Sequence, residues 1–402
     1  MYNTGSTGRI VEGIAEAARK RGHQVWAAYG RAANPGPTQI YRISGLADHL
    51  HHGLHSYFLD GQGLGSRQAT RRLVRWLEKI RPDVVGLHNL HGYYLNVPIL
   101  FDYLISERVP IVWTLHDCWP LTGHCANFDR FACDKWKAGC SKCPMTSYYP
   151  RSLVDNSRRN WNQKRELFGA AGSLTLVVPS RWLARIVSQS YLGKFPTRVI
   201  PNGIDIDAFK PTPESGARPI VLGVANHWNQ AKGLDDFFQL RQFLASGFGV
   251  MLVGLEPRQL RRLPKGIEGV PRTQNVAELA ALYSSASVFV NPTYGDNFPT
   301  TNLEALACGT PVITYATGGS PESVTGDVGR VVAQGDIAGL AMAVTEIAAL
   351  DRENLRQMCR SHAVRKYDRT ERFAEYVSLF EEAFARGLGS SSTTLSEGAF
   401  IQ

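Results

Sequence analysis

Short apolar runs alternate with amphipathic helical stretches along almost the whole chain, and no other feature constrains the fold as strongly. Gln24–Ala28, Val84–Leu87, Ile111–Leu115, Leu174–Val178, Ile220–Val224, Val250–Val253, Val288–Val290 and Pro311–Tyr315 have strand length and are rich in branched aliphatics. Arg9–Arg21, Ala69–Lys79, Pro98–Ser106, Leu234–Phe243, Thr301–Cys308 and Ile337–Ala349 carry a helical period between them. Such alternation predicts parallel sheets covered by helices on both faces. At 402 residues the chain exceeds one ordinary core, so two domains are expected. A polar stretch near 206–218, with Pro211, Pro213 and Gly216, is the expected seam. The predicted fold class is α/β, with two doubly wound, Rossmann-like domains facing a cleft. Residues 1–207 form the first and 208–370 the second. A helix over 371–386 packs back on the first domain, and the Ser/Thr/Gly-rich stretch 387–402 reads as a disordered tail. Ligands of such sheets sit beyond the carboxyl ends of the strands.

The segment Asn291–Glu322 carries the most chemistry. Asp296 and Glu304 lie eight positions apart, separated by a loop with Asn297, Phe298 and Pro299, and Glu304 falls on the following helix. A strand and a second loop with Gly318 and Gly319 come next. Loop amides, a helix N-terminus and a carboxylate behind them suit a nucleoside diphosphate: donors for phosphates, an acceptor for ribose hydroxyls. At the other end of the chain, Asn3-Thr4-Gly5-Ser6-Thr7-Gly8-Arg9 reads as a phosphate-type loop feeding a helix. Such a loop normally follows a strand, so the reading predicts that the first strand of this domain is missing.

Charge is uneven. Residues 1–200 hold 26 Lys and Arg against 13 Asp and Glu, or +13; the remainder holds 44 − 26 = 18 against 35 − 13 = 22, or −4. The basic half favours anionic surfaces or substrates. No recognised nucleic-acid module accompanies it, so an anionic membrane or a lipid-diphosphate acceptor is preferred over nucleic acid. Arg67, Arg71, Arg72, Arg75 and Lys79 recur at helical spacing around Leu73, Val74 and Leu77. This fits either a membrane-docking face or a solvated one. No apolar run approaches the roughly 18 residues of a membrane span, and Met1–Gly5 has neither a basic start nor an apolar stretch. A cytoplasmic location is expected, peripheral to the inner membrane face if the basic helix docks. In a reducing compartment Cys125, Cys133, Cys140 and Cys143 favour metal over disulfides, and Cys140–Cys143 makes a half-site for tetrahedral zinc. The remaining spacing is loose, so structural zinc, disulfides and free thiols all stay open.

Pro179-Ser180-Arg181-Trp182-Leu183, Pro201-Asn202-Gly203-Ile204-Asp205, Lys232-Gly233 and the Asp296–Glu304 segment occur in order with fitting gaps. Together they resemble family 4 of the retaining glycosyltransferases. His88-Asn89-Leu90-His91-Gly92-Tyr93-Tyr94, Trp113-Thr114-Leu115-His116-Asp117 and the cysteine cluster resemble, more narrowly, bacterial exopolysaccharide enzymes of the colanic-acid type. The resemblance covers about residues 3–385. It implies the GT-B fold and a hexosyltransferase-type reaction: a sugar leaves a nucleotide-diphosphate donor with its anomeric configuration retained. The implied acceptor is a growing lipid-linked oligosaccharide. No cofactor and no metal at the reaction centre are implied, and Asp205-Ile206-Asp207 lies beside the seam rather than in a metal-holding position. By the same resemblance Lys232 neutralises the leaving diphosphate, His116 contacts the donor sugar, Glu304 binds the ribose and Asp296 lies near the transferred sugar. The family has Glu at both ends of that acidic pair, so Asp296 is one methylene short. The family's second cation is replaced by Asn226 or His227, and Arg9, behind Gly8, is the expected substitute. Asn297, Phe298, Pro299 and Thr300 complete the expected donor site. His88 and His91 are expected to shape the acceptor side or to be structural. Two other readings remain: a sugar-nucleotide epimerase or hydrolase on the same fold, and a weakly catalytic binding or scaffold protein of polysaccharide assembly.

Overall fold

A computed structural model describes residues 2–34, 36–128, 131–213, 218–387 and 397–402. The strands are β1 (Gln24–Tyr29), β2 (Gln39–Arg42), β3 (Val84–Leu87), β4 (Ile111–Thr114), β5 (Leu174–Val178), β6 (Thr197–Val199), β7 (Ile220–Val224), β8 (Gly249–Val253), β9 (Ile267–Val270), β10 (Val288–Asn291), β11 (Val312–Tyr315), β12 (Gly329–Val332) and β13 (Glu397–Ile401). They form two sheets, one of seven strands in the order β2-β1-β13-β3-β4-β5-β6 and one of six in the order β12-β11-β10-β7-β8-β9. All named pairings are parallel. The inner strands β3, β4, β5, β10 and β11 are buried along their whole length, as uninterrupted apolar runs require when helices cover both faces.

The chain divides into two compact units, residues 1–201 with 370–402 and residues 202–369. The boundary falls ahead of the 206–218 seam because Ile204 and Phe209 are buried in the core of the second unit. Part of that seam, 214–217, lies outside the described residues. Side chains start the helices where the sequence offers them. Asn96 accepts from the Ile99 amide and Ser180 from the Leu183 amide, each cap worth about 1 kcal/mol. In the first unit α1 (Gly5–Lys20) packs Ile10, Val11 and Ile14 with Phe373, Tyr376 and Phe380 of the helix Arg369–Gly387. Among the described residues no helix is long and apolar enough to cross a membrane.

The disordered tail and the long glycine-rich start are the two expectations that need correction. The stretch 387–402 is not a disordered tail throughout. Residues 388–396 lie outside the described residues, but 397–401 form β13 at the centre of the first sheet, in register with β1 on one side and β3 on the other. Composition misled here because the Ser/Thr/Gly run masks a strand too short to show a period. No strand precedes α1 among the described residues, and β13 holds the central position. Gln402 accepts from the Gly30 amide and donates to the Ala28 carbonyl, and Tyr2 then bridges Ala33, so the pairing along this edge of β1 passes from Gln402 to Tyr2. The glycine-rich start is also shorter than expected. Helix α1 begins at Gly5, so Gly8 is buried in its first turns and Arg9 is exposed on it.

The inserted strand is tightly packed. Phe400 is 4 % exposed and meets Phe380 edge-on at 5.3 Å between ring centroids. Gly86 on β3 leaves it room, since a Cβ there would lie 2.5 Å from the Phe400 ring. Phe400→Ala is expected to destabilise the first unit by about 3–5 kcal/mol. Urea unfolding followed by the fluorescence of its tryptophans measures the shift.

Candidate active site

In the second unit the chemistry collects on the loops after β7, β10 and β11. Asn226 and His227 are exposed on the first loop, and Lys232 sits in the 3₁₀ turn Gln230–Lys232. The Asn229 side chain starts that turn by accepting from the Lys232 amide at 3.1 Å. The loop after β10 carries Asp296 and then runs inward, with Asn297, Phe298 and Pro299 buried. Thr300 opens the helix Thr300–Ala307, and Glu304 lies one turn in, partly exposed. Its N-cap is Pro299, and no side chain caps it, which leaves the positive end of the helix to a ligand or water.

Buried polar contacts hold these loops together. Tyr294 donates its amide to the Ala231 carbonyl at 2.9 Å, and Gly319 donates to the Asp296 carbonyl at 3.0 Å. Gly318 has φ +55, and a Cβ there would lie 2.1 Å from the Asp296 carbonyl oxygen. Both the left-handed backbone and the close approach therefore demand glycine. Asn302, fully buried, accepts from Asn291 at 2.7 Å and donates to Ser320 and Ser323 at 3.2 and 2.9 Å. One side chain thus ties the helix to the ends of β10 and to the turn after β11. Tyr294 and Tyr315 both donate to Asp236, at 3.0 and 2.6 Å.

Two predicted residues meet directly. Lys232 Nζ lies 2.6 Å from Asp296 Oδ2, an ion pair between the cation and the first carboxylate. Glu304 is held differently: the buried Tyr283 hydroxyl donates to its Oε2 at 3.0 Å. Burial first, and the neighbouring carboxylate second, push the Tyr283 hydroxyl well above its usual range, so it remains a donor. Sequence reasoning missed Tyr283, Asn302 and Asp236. It also missed Arg272, which follows β9 and donates to Asn226 Oδ1. A cation therefore stands beside Asn226, one of the two positions at which the resemblance implies a second cation. Nothing in local spacing signals it, because the parallel pairing of β8 and β9 brings it there.

Gly8, Arg9 and His116 belong to the first unit. His116, following β4, pairs with His88, at the end of β3, with His88 Nδ1 3.0 Å from His116 Nε2 and the rings stacked at 5.3 Å. Burial pushes His116 down to about 4, with His91 adding to the effect and Asp117 opposing it. Burial also holds His88 well below its usual range, helped by His116. Both rings are therefore neutral near pH 7, one donating to the other. Asp117 meets His91 Nε2 at 2.6 Å and accepts from the Trp119 amide at 2.9 Å. Burial acts to raise the Asp117 carboxyl, and these contacts outweigh it to leave the pKa lowered. The other nitrogen of His91 meets the Tyr149 hydroxyl at 3.3 Å.

Cys125, Cys133, Cys140 and Cys143 line one cavity with Phe128, Trp136 and Met145, all four as free thiols. The Gly123 amide donates to Cys140 Sγ at 3.2 Å and the Met145 amide to Cys143 Sγ at 3.4 Å. A hydrogen bond from Cys125 lowers the Cys143 thiol, whereas burial pushes Cys140 up to about 11. Among the described residues no three His, Cys, Asp or Glu side chains converge as a metal-binding group.

Comparison with known proteins places this geometry. Residues 7–208 match Glycosyltransferase Family 4, and residues 218–349 match Glycosyl transferases group 1. The chain belongs to glycosyltransferase family 4. The "Putative colanic acid biosynthesis glycosyl transferase WcaC" of Escherichia coli K12 is 28 % identical over 316 residues, 75 % of this chain and 76 % of that one. The D-inositol 3-phosphate glycosyltransferase of Geodermatophilus obscurus is 31 % identical over 220 residues, 47 % of this chain and 49 % of its own length. Among solved structures, the sucrose-phosphate synthase of Thermosynechococcus elongatus matches with TM-score 0.69 at 18 % identity, over 96 % of this chain and 95 % of that one. Anabaena HepE in complex with UDP and glucose matches with TM-score 0.62 at 16 % identity, over 94 % and 96 %. The fold is GT-B, with two Rossmann-like domains, and the protein is a glycosyltransferase that resembles the colanic-acid enzymes.

The neutral histidine pair has a pH signature. A histidine lowered to about 4 in the folded state and ordinary when unfolded takes up its proton on unfolding between those values. Its contribution is fully present above about pH 6.5 and is lost as pH falls towards 4, on the order of 3 kcal/mol in all. Urea titrations of wild type and His116→Gln from pH 7.5 to 4.5 are expected to show a steeper acid loss in the wild type.

Proposed function

We propose that this glycosyltransferase takes a sugar from a nucleoside-diphosphate sugar, with retention, and adds it to a growing lipid-linked oligosaccharide of a bacterial exopolysaccharide. The observation that carries the donor assignment is the Lys232–Asp296 ion pair at 2.6 Å, beside a helix N-terminus that no side chain caps. The diphosphate replaces Asp296 as the partner of Lys232 and takes hydrogen bonds from the first amides of the helix. Lys232 then neutralises charge that accumulates as the diphosphate departs. Glu304, fixed by Tyr283, accepts from the ribose hydroxyls, and Asp296, freed from Lys232, turns to the sugar. The acceptor hydroxyl enters on the face the diphosphate leaves, and a leaving-group oxygen takes its proton. His116 in its neutral form contributes a hydrogen bond to a sugar hydroxyl rather than a charge. The similarity to WcaC supports the polysaccharide assignment, and the fold shared with HepE supports a nucleotide-sugar donor.

A thermal-shift screen over UDP-, GDP- and ADP-sugars tests the donor. One nucleotide is expected to stabilise the second unit, by about 2.7 kcal/mol at a hundred times its dissociation constant. Glu304→Ala is expected to abolish preference for ribose over deoxyribose, and Lys232→Ala to lower turnover by roughly 10²–10³ with the fold intact. Release of free sugar without acceptor would make the protein a hydrolase, and nucleotide binding without turnover on membrane extracts would make it a binding protein.

A further inference from the structure

Helix α2 (Leu46–Leu59) is inside out. The side chains it buries are His52 and Ser56, while Leu46, Leu50, Leu54 and Phe58 are 72, 62, 58 and 52 % exposed. These four recur at every fourth residue and make a continuous outward stripe, along a helix about 21 Å long. The inward face is built for its polarity. His52 Nε2 accepts from the Gly63 and Gly65 amides, both at 3.2 Å, and its Nδ1 lies 2.9 Å from Ser66 Oγ. Burial, with His55 next, pushes His52 down to about 3, which keeps the ring neutral for that acceptor role. The helix is therefore not misplaced, and its apolar stripe is presented outward.

Cations flank the stripe on both sides. Asp48, beside it, is bridged at 3.5 Å to Arg72 of α3 (Arg67–Ile80), whose Arg67, Arg71, Arg75 and Lys79 are exposed. Across the stripe, the Arg151 guanidinium lies 5.9 Å from the centre of the Tyr57 ring. The Leu153 amide donates to the Tyr57 carbonyl at 2.8 Å, which sets Leu153, itself 60 % exposed, alongside. An apolar band between basic flanks suits a surface that is apolar inside and anionic at its boundary. A second copy of the chain would bring like charges together, because a two-fold contact sets the same patch against itself.

We propose that α2 and α3 form a docking surface for an anionic lipid bilayer, with Leu46, Leu50, Leu54 and Phe58 at the acyl boundary and the flanking cations among the headgroups. The inference does not depend on the donor chemistry. Flotation of the full chain with phosphatidylcholine vesicles, with and without phosphatidylglycerol, tests it. Wild type is expected to float with the anionic vesicles and not with the neutral ones, and to be released by salt. Arg71→Glu with Arg75→Glu is expected to weaken binding at least about 25-fold, from about five-fold for each of the two lost cations and further repulsion from the two added carboxylates. Leu50→Glu with Leu54→Glu is expected to weaken it at least about ten-fold. All four side chains are exposed, so circular dichroism melts should match wild type. If the glutamates disturb the helix, Leu50→Gln with Leu54→Gln gives the same reading. Failure of folded wild type to float overturns the proposal, as does unchanged flotation of both double variants. So does a dimer in sedimentation velocity that Leu50→Glu dissolves while vesicles go unbound.

Discussion

The ladder that β13 makes with β1 and β3 is the contact on which the first unit depends. It supplies backbone partners to both neighbours at the middle of the sheet, where an unpaired edge would leave buried amides and carbonyls without hydrogen bonds. It also reaches the chemistry. The His88 amide donates to the Ile401 carbonyl at 3.1 Å, and His88 in turn orders His116. The stacked histidines thus owe their position to a strand more than 280 residues further along the chain than His116, by 401 − 116 = 285.

The second unit solves its equivalent problem with side chains. The N-terminus of its helix Thr300–Ala307 has no side-chain cap, and the loops around it are fixed from behind by Asn302, Asp236 and the glycine at 318. Buried polar groups of this kind are costly unless every partner is met. Asn302 meets that condition through three neighbours. The ion pair of Lys232 and Asp296 is the exposed part of the same arrangement. It is weak enough in solvent to be exchanged for another charged partner.

Much of the fold was legible because parallel strands buried on both faces read as plain apolar runs. β3, β4, β5, β7, β10 and β11 stand within a residue or so of where such runs place them. What escaped did so for physical reasons. β2 and β9 are partly exposed edge strands without a continuous apolar run. Helix α2 turns its leucines outward and its histidine inward, so a pattern search that assigns apolar positions to the core assigns its faces wrongly. At the site, Lys232 and Asp296 were named from motif order, and they meet because the loops that carry them follow the neighbouring parallel strands β7 and β10. Tyr283 and Arg272 were not, because their neighbours are made by packing between elements. The cysteines were legible as a cluster, and the structure brings all four to one cavity.

The position of β13 also bears on how the protein is made. Residues 202–369 form a unit contiguous in sequence, complete once its last helix has left the ribosome. The first unit has most of its chain by residue 201, yet it waits for 397–401 before its sheet is closed. The order of synthesis is therefore the reverse of the order of completion. The domain translated first is finished last, and until then the β2-β1 and β3-β4-β5-β6 parts of its sheet each keep an open inner edge.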